Sequence, residues 1–472
     1  METRVKILYR PSTSTNVFGE FSISFNAWDG VDRSVKLKFD LQQLWSFSRD
    51  TTSIAFDFLI LSFIVYNVDR AINRQKHSID GWQRNIRLEN VPVINLDSMN
   101  KGKDAFNRAI SFLTGDLWDI HFVQANSYNY HPIKNIKDYN KYDIEKVALF
   151  SGGLDSLIGF IDEVSSLKPS KKILLISHME LGKEHKDQQG ILDYCRNHNL
   201  YDGKFEQLLL NAGLRPKTWN INKTPTESTF RSRSLLFFAA GIYTAYHIGS
   251  NINLIVPENG TISINIPLDK GRRSACSTRT THPVFISKLE KALSLIGIDN
   301  KFINPYKLDS KKDMVEKCCS CEDKKNLFMQ LAPLSCSCAK RGHNRFWDKT
   351  SLQIESNNIK HCGMCLPCLY RRVSLNAVGL DDEAYLGTDV LNGQKFNLFS
   401  KGQKRNRDFR ALLFFLKNRM NESVIKRELM MNGVHNENEL KEYVRLAIHS
   451  YDQVLDWLKE KAPTNIKKIV GL

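Results

Sequence analysis

Two short stretches carry residue types whose spacing can do chemistry: Ser151-Gly152-Gly153-Leu154-Asp155-Ser156 and His361-Cys362-Gly363-Met364-Cys365-Leu366-Pro367-Cys368. In the first, a Ser-Gly-Gly turn runs into Asp155 and Ser156, where a helix would start. Backbone N–H groups at such a turn, with the positive end of a helix dipole behind them, bind phosphate. Glycine is needed because a side chain would collide with phosphate oxygens and because turn residues often take positive φ. The Gly-x-x-x-x-Gly-Lys-Ser/Thr pattern of kinase-type loops is absent. In the second stretch three thiols recur at intervals of three. A Cys-x-x-Cys knuckle turns two sulfurs toward one centre, and zinc takes four ligands in a tetrahedron. The fourth must come from elsewhere in the chain. Cys336 and Cys338 are nearest in sequence, and Cys318, Cys319 and Cys321 lie farther off. Cys-x-x-Cys-x-x-Cys also opens iron–sulfur patterns, but a closed four-sulfur zinc site needs no redox partner and is the preferred reading.

These residues need elements to position them. Val147-Ala148-Leu149-Phe150 suits a buried parallel strand, and Leu157, Phe160, Ile161 and Val164 have helical spacing after the turn. From Asp143 onward strand and helix alternate, as a parallel sheet with crossovers requires. Strands are expected at 171–178, 206–210 and 253–256, with helices at about 187–197 and 231–246. In open parallel sheets ligands bind beyond the carboxyl ends of the strands. Ser151, His178 and Glu258 each follow an expected strand end and should converge. The loop Gly271-Arg272-Arg273-Ser274-Ala275-Cys276-Ser277-Thr278-Arg279-Thr280-Thr281-His282-Pro283 is dense in donors and reads as a clamp for phosphate or carboxylate. Glu258 and His282 are candidates for substrate contact or proton transfer, with a structural Glu-Asn-Gly turn the alternative at 258–260. Asp155 reads as a surface turn carboxylate whose removal would end activity and leave the fold intact.

Residues 1–142 read as an α+β domain, with strands at 5–8, 21–25, 35–39, 85–88 and 118–122 and helices at about 53–73 and 103–113. The apolar run 54–68, interrupted by Asp57 and Asn67, is short for a membrane span and reads as a buried helix. Asp69-Arg70 and Trp82 read as a helix-end salt bridge and a core tryptophan in preference to a partner surface, and 128–142 reads as a linker. Residues 143–380 hold both motifs, and 381–472 form a basic helical extension with helices near 406–420 and 438–459, whose apolar spacing reads as packing. A chain of 472 residues accommodates two or three domains, and its net charge of +16 predicts attraction to polyanions. No apolar leader follows Met1-Glu2-Thr3-Arg4, and every cysteine but Cys195 lies between Cys276 and Cys368. That usage favours metal over disulfides and a cytoplasmic location.

The 151–156 loop resembles the SGGxDS motif of the PP-loop ATP pyrophosphatases. Three features together are similar to the QueC family, the 7-cyano-7-deazaguanine synthases: that loop, the basic Arg231-Ser232-Arg233, and Ser335-Cys336 followed by Cys362, Cys365, Cys368 and Arg371-Arg372. The resemblance covers roughly residues 146–375. It implies an α/β PP-loop domain with a doubly wound parallel sheet and a C-terminal flap pinned by structural zinc, with Cys336 as fourth ligand and Cys338 as fallback. The gap from Cys336 to Cys362 is longer than the family's, and both flanks lack counterparts in compact QueC enzymes. The extended chain looks like the QueC-like proteins of anti-phage systems, the QatC proteins and those of type IV CBASS.

What the resemblance implies is ATP-dependent adenylation. The carboxylate of 7-carboxy-7-deazaguanine would attack the α-phosphorus of ATP, entering with Mg²⁺, and an amine would then displace AMP. Ser151, Gly152, Gly153, Leu154, Asp155, Ser156 and His178 would hold the nucleotide. Asp155, Ser156, Arg233, Arg279 and His282 would serve the chemistry, and Arg231, Glu258, Asn259, Thr281 and Arg371 the substrate. The acceptor for such relatives is a partner protein's amine, giving a nucleobase–protein conjugate. The alternatives are ammonia, giving the nitrile, or a base in tRNA. Nucleic acid is not the favoured partner, since no aromatic-basic interleaving that stacks bases is present, and no membrane is implied.

Overall fold

Strand β1 (Glu2–Arg10) alternates exposed and buried residues with period two, as do β2 (Glu20–Asn26) and β3 (Asp32–Asp40). That alternation lays one face of an antiparallel meander against a core and leaves the other to solvent. The computed structural model describes residues 2–11, 19–128, 141–179, 182–201, 203–222, 224–269, 279–341, 347–392 and 407–472. The 271–278 part of the arginine-rich loop and the 129–140 part of the expected linker lie outside them.

The remaining strands are β4 (Asn85–Val93), β5 (Leu117–Gln124), β6 (Ile144–Leu149), β7 (Lys172–Met179), β8 (Phe205–Leu214), β9 (Leu254–Ile255) and β10 (Phe302–Ile303). All ten form one sheet in the order β10-β9-β6-β7-β8-β3-β2-β1-β4-β5. Six of its nine pairings are parallel. From β6 to β10 every pairing is parallel and helices intervene between successive strands. Strands β7 and β8 extend to one side of β6, and β9 and β10 to the other, so the winding reverses between β6 and β9. Such a reversal splays the loops after the two strands apart and opens a crevice at their carboxyl ends. The loops concerned are 150–153 and 256–259.

The N-terminal strands belong to the same sheet, because β3 pairs antiparallel with β8, with Leu37 opposite Leu214 and Asp40 opposite Asn211. The helix Ile54–Ala71 is buried along nearly its whole length. Asp57, which interrupts its apolar run, accepts N–H bonds from Ile94 (2.9 Å) and Asn95 (2.8 Å), which satisfies its buried charge. No helix among the described residues is long and apolar enough to cross a membrane. Asp69, in the last turn of the helix Ile54–Ala71, does form salt bridges, but in the interior and with Arg84 and Arg74. It is fully buried and accepts from the Ser232 hydroxyl at 2.6 Å. Trp82 is 49% exposed and is not a core residue.

The C-terminal helices Arg407–Asn418, Glu422–Met431, Glu437–Lys461 and Thr464–Val470 share a core with the cysteine segment, in which Phe415, Tyr451 and Trp457 lie with Cys362 and Leu369. The last 66 residues therefore pack against the cysteine segment.

Candidate nucleotide site and cysteine centre

Phe150 extends the parallel ladder, its N–H donating to Ile176 O at 2.8 Å, and the chain then turns sharply. Gly152 has φ of +78°, and a Cβ there would lie 3.2 Å from Gln188, so glycine is needed for both conformation and space. Gly153 caps the helix Leu154–Ser165. Two orphan N–H groups of that helix start are held by hydroxyls: Gly153 N donates to Ser151 Oγ (3.3 Å) and Leu154 N to Ser337 Oγ (3.2 Å). The Ser156 hydroxyl donates to Gly153 O at 3.0 Å and so fixes the turn. Ser151 is exposed, whereas Gly152, Leu154, Asp155 and Ser156 are buried.

Asp155 is the hub of this site and is not a surface carboxylate. The first helical turn points it inward, where Asn259 Nδ2 donates to one oxygen at 2.7 Å and Lys311 Nζ pairs with the other. Burial opposes its ionisation, but Lys311 and the hydrogen bonds from Glu258, Lys311 and Asn259 prevail and hold its pKa below the usual carboxylate range. Glu258 is driven the other way. Desolvation, the charge of Asp155 and the hydrogen bond it donates to Asp155 raise its pKa well above the ordinary value. The pair thus shares one proton, with Asp155 ionised and Glu258 neutral. Asn259 does two jobs, since its Oδ1 also caps the helix Gly260–Ile264 by accepting from Ile262 N at 2.9 Å.

Lys311 went unnoticed in the sequence. Ser310-Lys311-Lys312-Asp313 is a capping box, a legible helix start. What the sequence could not show is that this start lies against Asp155, 156 residues away.

Several expected contacts are structural. His178 lies within β7, fully buried. Its Nε2 meets Ala212 O at 3.1 Å, and Arg233 Nε donates to its Nδ1 at 3.3 Å. Desolvation and Arg233 push its pKa down to about 3, so it stays neutral. Arg231 donates to Thr114 O at 2.9 Å and binds the N-terminal half of the sheet. Arg279 lies over the Phe112 ring and donates to Phe112 O (3.0 Å) and Asn432 Oδ1 (3.1 Å). His282 caps the helix Pro283–Leu295 through its Nδ1, and burial lowers its pKa to about 3, which removes it from proton transfer near neutrality. Thr281 meets Ser263 Oγ at 3.2 Å. Arg371 donates to Ser335 Oγ (2.8 Å) and Ala332 O (2.7 Å), and so braces the segment leading to the loop.

The thiols of Cys338, Cys362, Cys365 and Cys368 lie within 4.8 Å of one another. Cys336 is not among them. Its Sγ faces Lys360 O at 3.7 Å, while its N–H donates to Gly152 O at 2.8 Å. The fourth cysteine of the cluster is therefore Cys338, and Cys336 joins its segment to the 151–156 loop. Residues two apart share a face in a regular strand, so the spacing of Cys336 and Cys338 alone does not tell which thiol joins the cluster. The group fits zinc. A tetrahedron with arms of about 2.3 Å has edges near 3.8 Å, and Cys362 Sγ lies 3.8 Å from Cys368 Sγ. Cys338 and Cys362 sulfurs accept N–H bonds from Lys340, Cys362, Met364 and Cys365, each at 3.3 Å, as thiolates favour. Four adjacent thiolates, three of them buried, repel unless a cation lies among them.

The molecule is thus a mostly parallel α/β protein with a glycine turn at the reversal of its sheet and a four-cysteine centre against that turn. The chain matches no protein-family model, no curated protein and no solved structure.

Proposed function

We propose that this protein adenylates a carboxylate at the 151–156 loop and passes the acyl group to an amine, in the manner of the QueC-like PP-loop enzymes it resembles. The observation that carries the reading is convergence. The glycine turn, the Asp155–Glu258–Asn259 cluster and the Lys311 ammonium come from three separate segments and meet where the winding reverses. An ammonium and helix-start N–H groups are the groups needed to stabilise charge on phosphates.

MgATP would place its phosphates at Gly153 and Leu154, displacing the Ser151 and Ser337 hydroxyls from those N–H groups. A carboxylate oxygen of 7-carboxy-7-deazaguanine attacks the α-phosphorus, the bond to the β-phosphate oxygen breaks, and pyrophosphate leaves. The acceptor nitrogen then adds to the acyl carbon, AMP departs with the C–O electron pair, and the nitrogen gives up a proton to solvent to leave the amide. The favoured acceptor is an amine of a partner protein. Lys311 neutralises phosphate charge, and neutral Glu258 offers a proton beside it. The cysteine centre, binding structural zinc, holds Cys336 and Ser337 against the loop and performs no step.

The test is ATP–pyrophosphate exchange dependent on 7-carboxy-7-deazaguanine, with intact mass spectrometry of co-expressed neighbouring proteins. Exchange in wild type that falls at least about tenfold in Lys311→Met is expected. Exchange that requires tRNA would move the reading to a tRNA-modifying enzyme, and no exchange with any carboxylate would end it.

A further inference from the structure

We propose that the long C-terminal helix Glu437–Lys461 is part of the nucleotide site's machinery, and that Gln453 is a positioning residue that sets Lys311 against Asp155. The inference rests on the functional reading of that site and extends it to a region whose apolar spacing signals only packing.

Leu446, Ser450 and Gln453 recur at helical intervals and face the site from one side. Leu446 closes on Gly260, where a Cβ would collide with it and with Lys307 O. Ser450 Oγ meets Thr261 Oγ1 at 2.7 Å. These contacts fix the segment directly after Glu258 and Asn259. One turn on, Gln453 Oε1 accepts from the Ser310 hydroxyl at 2.6 Å, and its Nε2 donates to Asp313 Oδ1 at 2.7 Å. Ser310 and Asp313 are the two halves of the capping box that begins the Lys311–Cys319 helix, joined reciprocally at 2.9 and 3.0 Å. Lys311 is the first residue of that helix. The amide of Gln453 therefore bonds to both capping side chains and sets where the Lys311 stem leaves the backbone. His449 Nε2 adds a third contact to Asp313 at 2.9 Å. One helix face thereby supports the segments that supply all three partners of Asp155.

The decisive substitution is Gln453→Glu. It keeps the acceptor for Ser310 but turns the donor facing Asp313 into a second carboxylate. Pairing it with Asp313→Asn restores one donor and one acceptor in reversed order. Exchange should fall at least about tenfold in Gln453→Glu, because displacements near 1 Å at a reacting centre cost rates of that order or more, and should return to within about threefold in the double variant. A merely structural role gives no such rescue of rate at unchanged thermal midpoint. Independently of ATP chemistry, acylation of Lys311 by acetic anhydride, read by peptide mass spectrometry, should be slow in wild type, faster in Gln453→Glu and slow again in the double variant. If wild type shows no exchange, the functional reading fails, while the labelling still decides whether Gln453 positions Lys311. Unchanged exchange and unchanged labelling in Gln453→Glu would overturn the proposal. Should that variant not fold, Gln453→Met, which deletes both bonds without adding charge, is judged by the same two measurements.

Discussion

Asp155 shows how burial changes what a residue does. A carboxylate in a glycine turn would leave little behind if removed from a solvated surface. Here Lys311 is buried with it, so Asp155→Ala strands an ammonium in the interior. Breaking a buried pair from one side costs about 3–5 kcal/mol, and that loss should appear in denaturant unfolding. Asp155→Ala with Lys311→Met, which removes both charges, should recover most of it. Equal stability of wild type and Asp155→Ala would place the pair in solvent. Glu258 gives a second outcome through its proton. Its native pKa is raised, so above the ordinary value of 4.5 the folded state keeps a proton that the unfolded chain releases. Stability contributed by Glu258 therefore falls as pH rises through that window. Asp155 acts oppositely, since its native pKa is lowered and its contribution is lost only in acid below 3.8. As pH rises above 4.5, Glu258→Gln should accordingly gain stability relative to wild type. A difference independent of pH would mean that Glu258 is ionised in the native state.

Elements decide which of two neighbouring thiols joins the four-cysteine cluster. The 335–338 segment points Cys338 into the cluster and presents the Cys336 N–H to Gly152, so two residues of one short stretch serve two sites. Cys338→Ser should lose zinc and thermal stability together, because ligand binding is folding free energy at such sites. Cys336→Ser should keep a full zinc complement by elemental analysis, and the reverse pattern would reassign the ligand. Local patterns made much of this legible. Thiol spacing marks three of the cluster's cysteines, the Ser-Gly-Gly turn marks the loop, and period-two or apolar runs mark nine of the ten strands, whereas the helices Pro283–Leu295, Lys311–Cys319, Glu322–Leu331 and Leu366–Asn376 went unread. The helices Glu422–Met431 and Thr464–Val470 escaped notice in the basic tail. Arg231, Arg279, His178 and His282 misled because donor-rich or strand-end residues look alike whether they face a ligand or satisfy a buried carbonyl or helix start. That difference lies in long-range contacts such as Arg231 to Thr114 and Arg279 to Phe112, which periodicity does not encode.

At the scale of the whole molecule, the pairing of β3 with β8 makes one sheet of two sequence regions that each look self-sufficient. The seam is also packed, because Tyr243 on the helix Arg233–Ile248 is fully buried 5.9 Å from the Phe56 ring and donates to Ser48 O and Asp50 O at 3.1 Å. One apolar core runs from Val5 through Ile64 to Val147 and Leu174. Strands that share a core and a ladder open together, whereas separately folded halves open with different free energies. The amides of β2 and β7 should therefore exchange at the same global free energy. Tyr243→Ala, which deletes a buried aromatic at the seam, should lower both by about 3–5 kcal/mol. Loss of protection in β2 with β7 untouched would show that the β6–β10 half folds without its N-terminal strands. A common decrease would instead make the N-terminal region part of what holds Phe150 and the 151–156 loop at the end of β6.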